Sequence, residues 1–386
     1  MAEMLTGVNG QMLRWARECY NMSIEDTAIA LDIDVQRYQM WENGEEFPTY
    51  AKLKKISDVL HKPSAIFFFP EPPKLENIKG NLRTLPYEIS DHFSKQVIQQ
   101  FEKAQVYQMD LRELYGERAS ILSDRNAFPS GQKELCEYFR RLLNFPIAAQ
   151  KARKSDKIVF EIFREHLYEL GIYVFKDAFR DNTISGLCLN DNQYPIIIIN
   201  NAMSFARQNF TLFHELYHLI ADTSGAEIIR DDYYFYLDAQ QTAVEKSCDS
   251  FANEFLVPTS DFKFELEKEP LSETRIVDLS ALYSVSKEAI MYKLYSMGLI
   301  TSDDYSALKE TFYGDAIRNS SRPVKDEKTG GNYYYTKLSY LGTRYTGDVF
   351  RQYFSGRIDG FQASEMLHSK VDHLPKLETA YFRGVK

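Results

Sequence analysis

The residues best suited to chemistry lie in the segment FTLFHELYHLI, residues 210–220, which contains the pattern H-E-x-x-H at His214, Glu215 and His218. Two histidines four positions apart share one helix face, so both imidazoles can bind the same metal ion. A cation held by two imidazoles and a third protein ligand keeps a position for water, which it acidifies. Glu215 could accept the proton of that water as it attacks a peptide carbonyl. The pattern predicts a catalytic metal site.

The alternative is a pair of surface histidines, because the pattern arises by chance in roughly one chain in a hundred of this length and composition. The residues around the motif argue against that alternative, since most of them are apolar and predict a largely buried helix. They are Phe210, Leu212, Phe213, Leu216, Leu219 and Ile220. Burying two histidines and a glutamate without partners costs free energy, so the metal site is favoured.

A third ligand must come from elsewhere, and the next strong helix downstream, AVEKSCDSFANEFLVP (243–258), offers Glu245, Asp249 and Glu254. Glu245 and Asp249 share a face, and Glu245 at the start of that helix is best placed to face the histidines. Asp222, four residues after His218, either accepts the second ring N–H of a ligand or is a solvated acid at the helix end. The expected metal is Zn²⁺, although two imidazoles and a carboxylate also accept Mn²⁺ or Fe²⁺.

The elements that must position these residues are mostly helices with a small sheet. Periodicity predicts helices over 209–221, 242–256 and 287–297 and two more between 133 and 170. Strands are predicted at GIYVFKD (171–177) and YPIIIIN (194–200). The four isoleucines of the second strand suit burial on both faces, inside a sheet covered by helices. The predicted fold class is therefore α+β, mostly helical.

Residues 1 to about 70 predict a set of short amphipathic helices in a helix, tight turn, helix arrangement. Ser23 and Asp34 are expected to cap the two helices of this pair at their N-termini, and Asn43-Gly44 to end the second in a left-handed cap. The segment PSAIFFFPEPP (63–73) contains four prolines, which we expect to exclude regular structure and to mark a domain boundary.

A single long helix is predicted from about 89 to 120, and the polar Pro- and Gly-containing stretch SSRPVKDEKTGG (320–331) marks a second boundary. The predicted domains are a helix-turn-helix domain (1–75), a linker helix region (76–130), a zincin-like metallopeptidase domain (131–318) and a helical C-terminal region (319–386). The linker and tail therefore flank the domain that carries the motif.

Composition sets limits on compartment and partners. The 386 residues carry a net charge of −9, which argues against bulk electrostatic coating of nucleic acid but leaves room for a local DNA-reading face. The four cysteines are far apart without a C-x-x-C pair, so we expect them to be reduced and not to form a thiolate metal site. The first residues lack a signal peptide, and the apolar runs are far shorter than the roughly 20 residues of a membrane span. A cytoplasmic protein without a membrane partner is predicted.

Over the two predicted helices that carry the H-E-x-x-H motif and Glu245, the chain resembles the ImmA/IrrE family of bacterial metallopeptidases. RQNFTLFHELYH is similar to that family's R-x-x-F-T-L-x-H-E-x-x-H signature, and EKSCDSFANEFLVP to its E-x-x-C/A-N-x-F-A-x-x-L-L-x-P signature. The resemblance implies that Glu245, at the leading acid of the second signature, is the third zinc ligand. Two positions depart from it: Tyr217 replaces a small residue, and Asp249 replaces the usual Asn. Tyr217 would either crowd the cleft or lend its phenol to the oxyanion.

The resemblance implies a regulatory protease that cuts one specific repressor or antitoxin and so switches gene expression in stress responses or mobile elements. The rival hypothesis is a DNA-binding transcription regulator whose peptidase-like domain senses a ligand or metal without proteolysis. A third hypothesis is the toxin or sensor of a defence system. The sequence leaves a homodimer open.

Residues 8–70 resemble the XRE-type helix-turn-helix, in which Gln36 and Arg37 would read base edges in the major groove. The charge of this region opposes DNA binding, because residues 1–70 contain seven basic and ten acidic residues, a net charge of −3. Such a module gains little from counterion release. The predicted role is DNA binding, with protein docking or dimerisation as the alternative.

Overall fold

A computed structural model describes residues 4–72, 94–223, 225–228, 237–319 and 332–384. The chain divides into two compact units, Met1–Glu102 and Lys103–Lys386. The predicted division into four smaller regions stays a prediction, and its second boundary at 320–331 lies outside the described residues.

The first unit contains four helices, α1 (Gly10–Glu18), α2 (Ile24–Leu31), α3 (Val35–Asn43) and α4 (Tyr50–Leu60). The predicted caps are confirmed: Ser23 accepts a hydrogen bond from the backbone N–H of residue 26, and Asp34 accepts from those of residues 36 and 37. Gly44 ends α3 with φ of 75°, a left-handed conformation that glycine adopts without strain. Tyr38 and Trp41 of α3 are buried in the core of this unit.

The proline-rich segment differs from its prediction, because Ser64–Phe68 forms a 3₁₀ helix. The prolines at 63 and 70 flank this run and leave SAIFFF uninterrupted, so a short helix with i to i+3 hydrogen bonds fits between them. Phe67 within this helix is fully buried against the helices of the first unit. The prolines of this segment therefore flank an ordered turn and do not interrupt it.

The helix α5 (Lys95–Tyr115) covers most of the predicted long helix, whose first residues lie outside the described part of the chain. Three helices follow where two were predicted: α6 (Gln132–Leu142), α7 (Ile147–Lys151) and α8 (Asp156–Glu169). A 3₁₀ helix over Ile121–Ala127 precedes them. Their apolar faces contribute much of the core of the second unit.

The sheet contains β1 (Tyr173–Asp177), β2 (Ile184–Leu189), β3 (Ile196–Asn200) and β4 (Gly225–Ile228), in the order β1-β3-β2-β4. The central strand β3 pairs in parallel with β1, Val174 opposite Ile197, and antiparallel with β2, Leu187 opposite Ile198. All four isoleucines of β3 are fully buried, which confirms the prediction of a strand covered on both faces. The α+β fold class is confirmed.

The motif helix α9 (Phe205–Ile220) packs against β2 and against α10 (Ala239–Leu256). Ser204 caps α9, and a capping box of Asp238 and Gln241 starts α10. The rings of Phe213 and Phe255 stack with centroids 3.9 Å apart, and Tyr217 lies 5.3 Å from Phe251. These aromatic contacts fix the rotation of the two helices relative to each other.

The remaining helices of the second unit are α11 (Thr259–Leu266), α12 (Glu273–Tyr283), α13 (Lys287–Ser296), α14 (Ser302–Asn319), α15 (Tyr333–Leu341), α16 (Thr343–Phe354), α17 (Gly360–Met366) and α18 (Leu374–Gly384). A 3₁₀ helix over Val371–His373 precedes α18. The last four helices confirm the predicted helical C-terminal region. Within the described ranges, no helix combines the length and apolar character that crossing a membrane requires.

Gly186 on β2 sets how closely α9 approaches the sheet. A Cβ atom at this position would lie 2.5 Å from Cγ2 of the buried Thr211 on α9, and 3.2 Å from the backbone oxygen of Ile198. We expect Gly186→Ala to lower the free energy of unfolding of the second unit by about 1–3 kcal/mol, because the β-branched Thr211 has little room to move. Urea unfolding followed by circular dichroism measures this effect.

The matched control is Gly384→Ala, whose new Cβ would meet no atom within 4 Å among the described residues. This control should change the unfolding free energy by less than about 0.5 kcal/mol. Equal stability of Gly186→Ala and the wild type would show that the strand and helix are not in tight contact.

Candidate metal centre

The structure brings the two histidines of the motif and Glu245 together. The Nε2 atom of His214 lies 3.2 Å from Oε2 of Glu245, and the Nε2 atom of His218 lies 3.4 Å from Oε1. All three side chains are at most 5% exposed. Burial by itself raises the pKa of the Glu245 carboxyl, but the two adjacent imidazole rings outweigh burial and hold that pKa well below its usual range. Glu245 is therefore an anion at neutral pH.

The second nitrogen of each ring is held by a different residue. Nδ1 of His214 lies 3.0 Å from Oδ1 of Asp249, and Nδ1 of His218 lies 3.1 Å from Oγ1 of Thr223. The Thr223 hydroxyl donates to the backbone oxygen of His218 at 2.9 Å, so its oxygen can only accept from the ring. The Asp249 carboxylate likewise can only accept a hydrogen bond from the His214 ring. Both Nδ1 atoms therefore carry protons, and in the neutral rings both Nε2 lone pairs face Glu245.

This arrangement fits a divalent cation. Two imidazole lone pairs and a carboxylate are all acceptors, and their convergence is stable only with a positive charge between them. Within the described residues, Nε2 of His218 is buried and has no hydrogen-bond partner with good geometry. The distances of 3.2 and 3.4 Å from nitrogen to oxygen match the edge of roughly 3.3 Å that a tetrahedron of zinc ligands has.

Of the two alternatives for Asp222, the structure favours the solvated acid at the helix end. The helix α9 ends at Ile220, and Asp222 adopts a left-handed conformation with φ of 61°. Its side chain is 67% exposed, 3.2 Å from the guanidinium of Arg125 and 2.8 Å from Nδ2 of Asn190. The same turn brings Thr223 back to His218, so Thr223 supplies the contact that helical spacing had assigned to Asp222.

The other acids of α10 lie in different surroundings. Glu254 binds Lys293 at 2.6 Å and the Thr259 hydroxyl, so it is not directed at the histidines. Glu215, the predicted base, is fully buried on α9. Tyr217 packs on Phe251 at the interface of α9 and α10. Its ring therefore contributes to the packing that holds the site.

Cys248 is a site residue that sequence reasoning missed. One ligand atom from each of His214, His218 and Cys248 lies within 4.8 Å of the other two. Glu245 lies 3.2 and 3.4 Å from the two rings, which favours it as the third ligand, and Cys248 is a further possible donor beside the same rings. Cys19, Cys136, Cys188 and Cys248 form no disulfide in the described part of the chain, but the expectation that none lies at a metal site does not fit this arrangement. The missed signal is the spacing of three residues from Glu245, which puts both on one helix face.

The predicted DNA-reading residues lie on the surface of the first unit. Gln36 and Arg37 are exposed on α3. The Arg37 guanidinium lies 3.4 Å from Oε2 of Glu46 and 5.9 Å from the centre of the Trp41 ring. Arg37 is thus accessible to solvent, but the carboxylate of Glu46 compensates part of its positive charge.

Removing the carboxylate that orients His214 should weaken metal binding. We expect Asp249→Ala to lower metal affinity by about 10- to 100-fold, because the ring then loses the acceptor that fixes its protonation and orientation. Asp249→Asn should retain most of the affinity, since an amide oxygen can accept the same hydrogen bond. Competition with a chromophoric chelator measures the metal affinity of both variants. Wild-type affinity in Asp249→Ala would show that the contact between Asp249 and His214 does not support metal binding.

A pair of packed helices that present two histidines and a glutamate beside a small sheet is the arrangement of a metallopeptidase domain. Comparison with known families agrees: residues 168–295 match the model of the IrrE N-terminal-like domain, a peptidase family, and residues 13–67 match a helix-turn-helix model. Residues 13–67 are therefore similar to a helix-turn-helix domain, and residues 168–295 to an IrrE-like peptidase domain. No curated protein matches the chain.

Proposed function

We propose that the chain is a zinc-dependent endopeptidase of narrow specificity that cuts a transcriptional repressor or antitoxin in the cytoplasm. The observation that carries this proposal is the convergence of His214, His218 and Glu245 on two helices locked by the Phe213 and Phe255 rings. The match of residues 168–295 to a peptidase family supports it independently.

Each residue of the centre has one role in this proposal. His214, His218 and Glu245 hold the cation, while Asp249 and Thr223 orient the two rings. A bound divalent cation supplies polarisation of the scissile carbonyl and acidifies a water molecule. Glu215 accepts the proton of that water at its carboxylate and delivers it to the leaving amine. Its full burial keeps this proton transfer apart from bulk solvent.

The pairing of the two domains supports the proposed substrate class. A protease joined to a helix-turn-helix domain can be brought to the DNA where a repressor is bound, which restricts cleavage to proteins at that place. A protease with unrestricted specificity would damage its own cell. This pairing therefore favours a regulatory target over general digestion.

The test of this proposal is a comparison of protein N-termini between cells that produce the chain and cells that lack it. We expect new termini in very few proteins, with a repressor or antitoxin among them. Absence of any new terminus at full zinc occupancy would contradict proteolysis and favour the sensor hypothesis.

We propose DNA binding through α3 as the role of the first unit, because Gln36 and Arg37 are exposed and amide and guanidinium groups pair with base edges. The contact between Arg37 and Glu46 opposes this role. We expect Arg37→Ala to weaken binding to the DNA upstream of its own gene by about tenfold, and Glu46→Gln to strengthen it by releasing Arg37.

Fluorescence anisotropy with a labelled duplex at several salt concentrations measures these effects. The control is Arg383→Ala, an exposed arginine of α18, which should leave affinity unchanged. No binding by the wild-type chain at low salt would exclude DNA recognition and leave protein docking or dimerisation as the role of this unit.

A further inference from the structure

Cys248 is the buried donor at the centre to which the proposed mechanism assigns no role. It lies on α10 one turn after Glu245 and is fully buried. Its sulfur and the ring nitrogens of His214 and His218 lie within 4.8 Å of one another. Since i and i+3 residues share a helix face, α10 presents a carboxylate and a thiol to the same pair of histidines.

The spacing of His214, His218 and Cys248 is close to that of ligands around one metal ion. In a tetrahedral zinc site the edge between an imidazole nitrogen and a thiolate sulfur is roughly 3.6 Å, so the sulfur needs to approach each of these nitrogens by roughly 1.2 Å at most. A rotation about the side-chain bond of cysteine covers that distance. Thiolate is also among the strongest ligands for Zn²⁺.

The other buried cysteines have different surroundings. The Cys136 sulfur lies 3.7 Å from the backbone oxygen of Phe251, and Cys188 lies in β2 within the apolar core. Among the residues that the structure describes, the group of possible metal ligands that contains a cysteine is the one at Cys248. Its position beside two histidines therefore reflects more than the general preference of cysteine for burial.

We propose that Cys248 is a fourth protein ligand, so that the resting centre is closed by His214, His218, Glu245 and Cys248. The proposal rests on the metal site of the proposed function. With a divalent cation bound at this site, the Cys248 thiol would release its proton to solvent and its sulfur would replace the water ligand. Water regains this position only when the thiolate leaves. Cys248 thus keeps the peptidase latent until that exchange occurs.

The test uses the full chain loaded with Co²⁺, because a sulfur ligand gives cobalt an intense near-ultraviolet charge-transfer band. We expect the band in the wild type and its loss in Cys248→Ser and Cys248→Ala, both of which still bind cobalt. The control Cys19→Ser, in the first unit, should keep the band. Circular dichroism confirms that each variant is folded.

Two outcomes overturn the proposal at different levels. A wild-type chain that binds cobalt without the band has the metal site of the proposed function but no Cys248 ligand. A wild-type chain that binds no more cobalt than Glu245→Gln lacks the metal site itself.

Binding of a small anion at the fourth coordination position of the metal provides a second test of the proposal. Acetohydroxamate, a small chelating anion, should bind the cobalt-loaded Cys248→Ala chain at least about tenfold more tightly than the wild type, because no thiolate has to be displaced. Equal affinity for the two proteins would contradict a closed resting centre.

Discussion

Glu215→Gln should cut peptide bonds about 10²- to 10⁴-fold more slowly than the wild type while it binds the same amount of zinc. Glutamine has nearly the shape of glutamate, but its amide does not take up the proton of the attacking water. Glu215 lies beside His214 on α9 and is fully buried, so its loss should affect proton transfer and leave the ligands in place. The measurements are zinc content by atomic spectrometry and the rate at which the new N-terminus of the substrate appears.

Glu137→Gln is the matched control, because it makes the same chemical change at an exposed position of α6. It should retain both zinc and activity. Cleavage by Glu215→Gln at the wild-type rate would show that another group takes the proton. Loss of zinc from Glu215→Gln would show that this residue is a ligand.

Glu245→Gln should lower zinc affinity by more than about 100-fold. Residues that only orient a ligand contribute about 10- to 100-fold, so a residue that binds the metal directly should contribute at least that much. The neutral amide also removes the negative charge that lies between the two rings. Chelator competition measures the affinity. Zinc should raise the unfolding temperature of the wild type and have much less effect on the variant.

Glu137→Gln again serves as the control and should bind zinc as the wild type does. Wild-type affinity in Glu245→Gln would remove Glu245 from the ligand set. The site would then consist of His214, His218 and Cys248, which the Cys248→Ser variant would test directly.

The sequence alone determined the features that depend on one helix or one strand. The spacing of His214 and His218 places them on one face of α9, where their ring centres are 5.1 Å apart. The four isoleucines of β3 predict its burial, and Ser23 and Asp34 predict where helices begin. These features could be predicted because helix and strand periods and capping hydrogen bonds depend only on residues that are close in sequence.

The sequence left two alternatives open for Asp222, and the turn of the chain after α9 selects the solvated acid. Asp222 has the right spacing from His218 only if α9 continues, and the left-handed turn at this residue directs its side chain to Arg125 instead. The 3₁₀ helix at Ser64–Phe68 shows a related limit, since the effect of a proline depends on whether it flanks or interrupts a turn.

The tertiary structure decided which side chains of α10 meet the histidines. The sequence offers Glu245, Asp249 and Glu254, and their separation along α10 does not say which faces α9. The stack of Phe213 on Phe255 sets the rotation of the two helices. This rotation directs Glu245 toward the Nε2 atoms, Asp249 toward Nδ1 of His214 and Glu254 toward Lys293, and it places Cys248 beside the two rings. Local periodicity specifies one helix face at a time, whereas a site between two helices depends on how their side chains interlock.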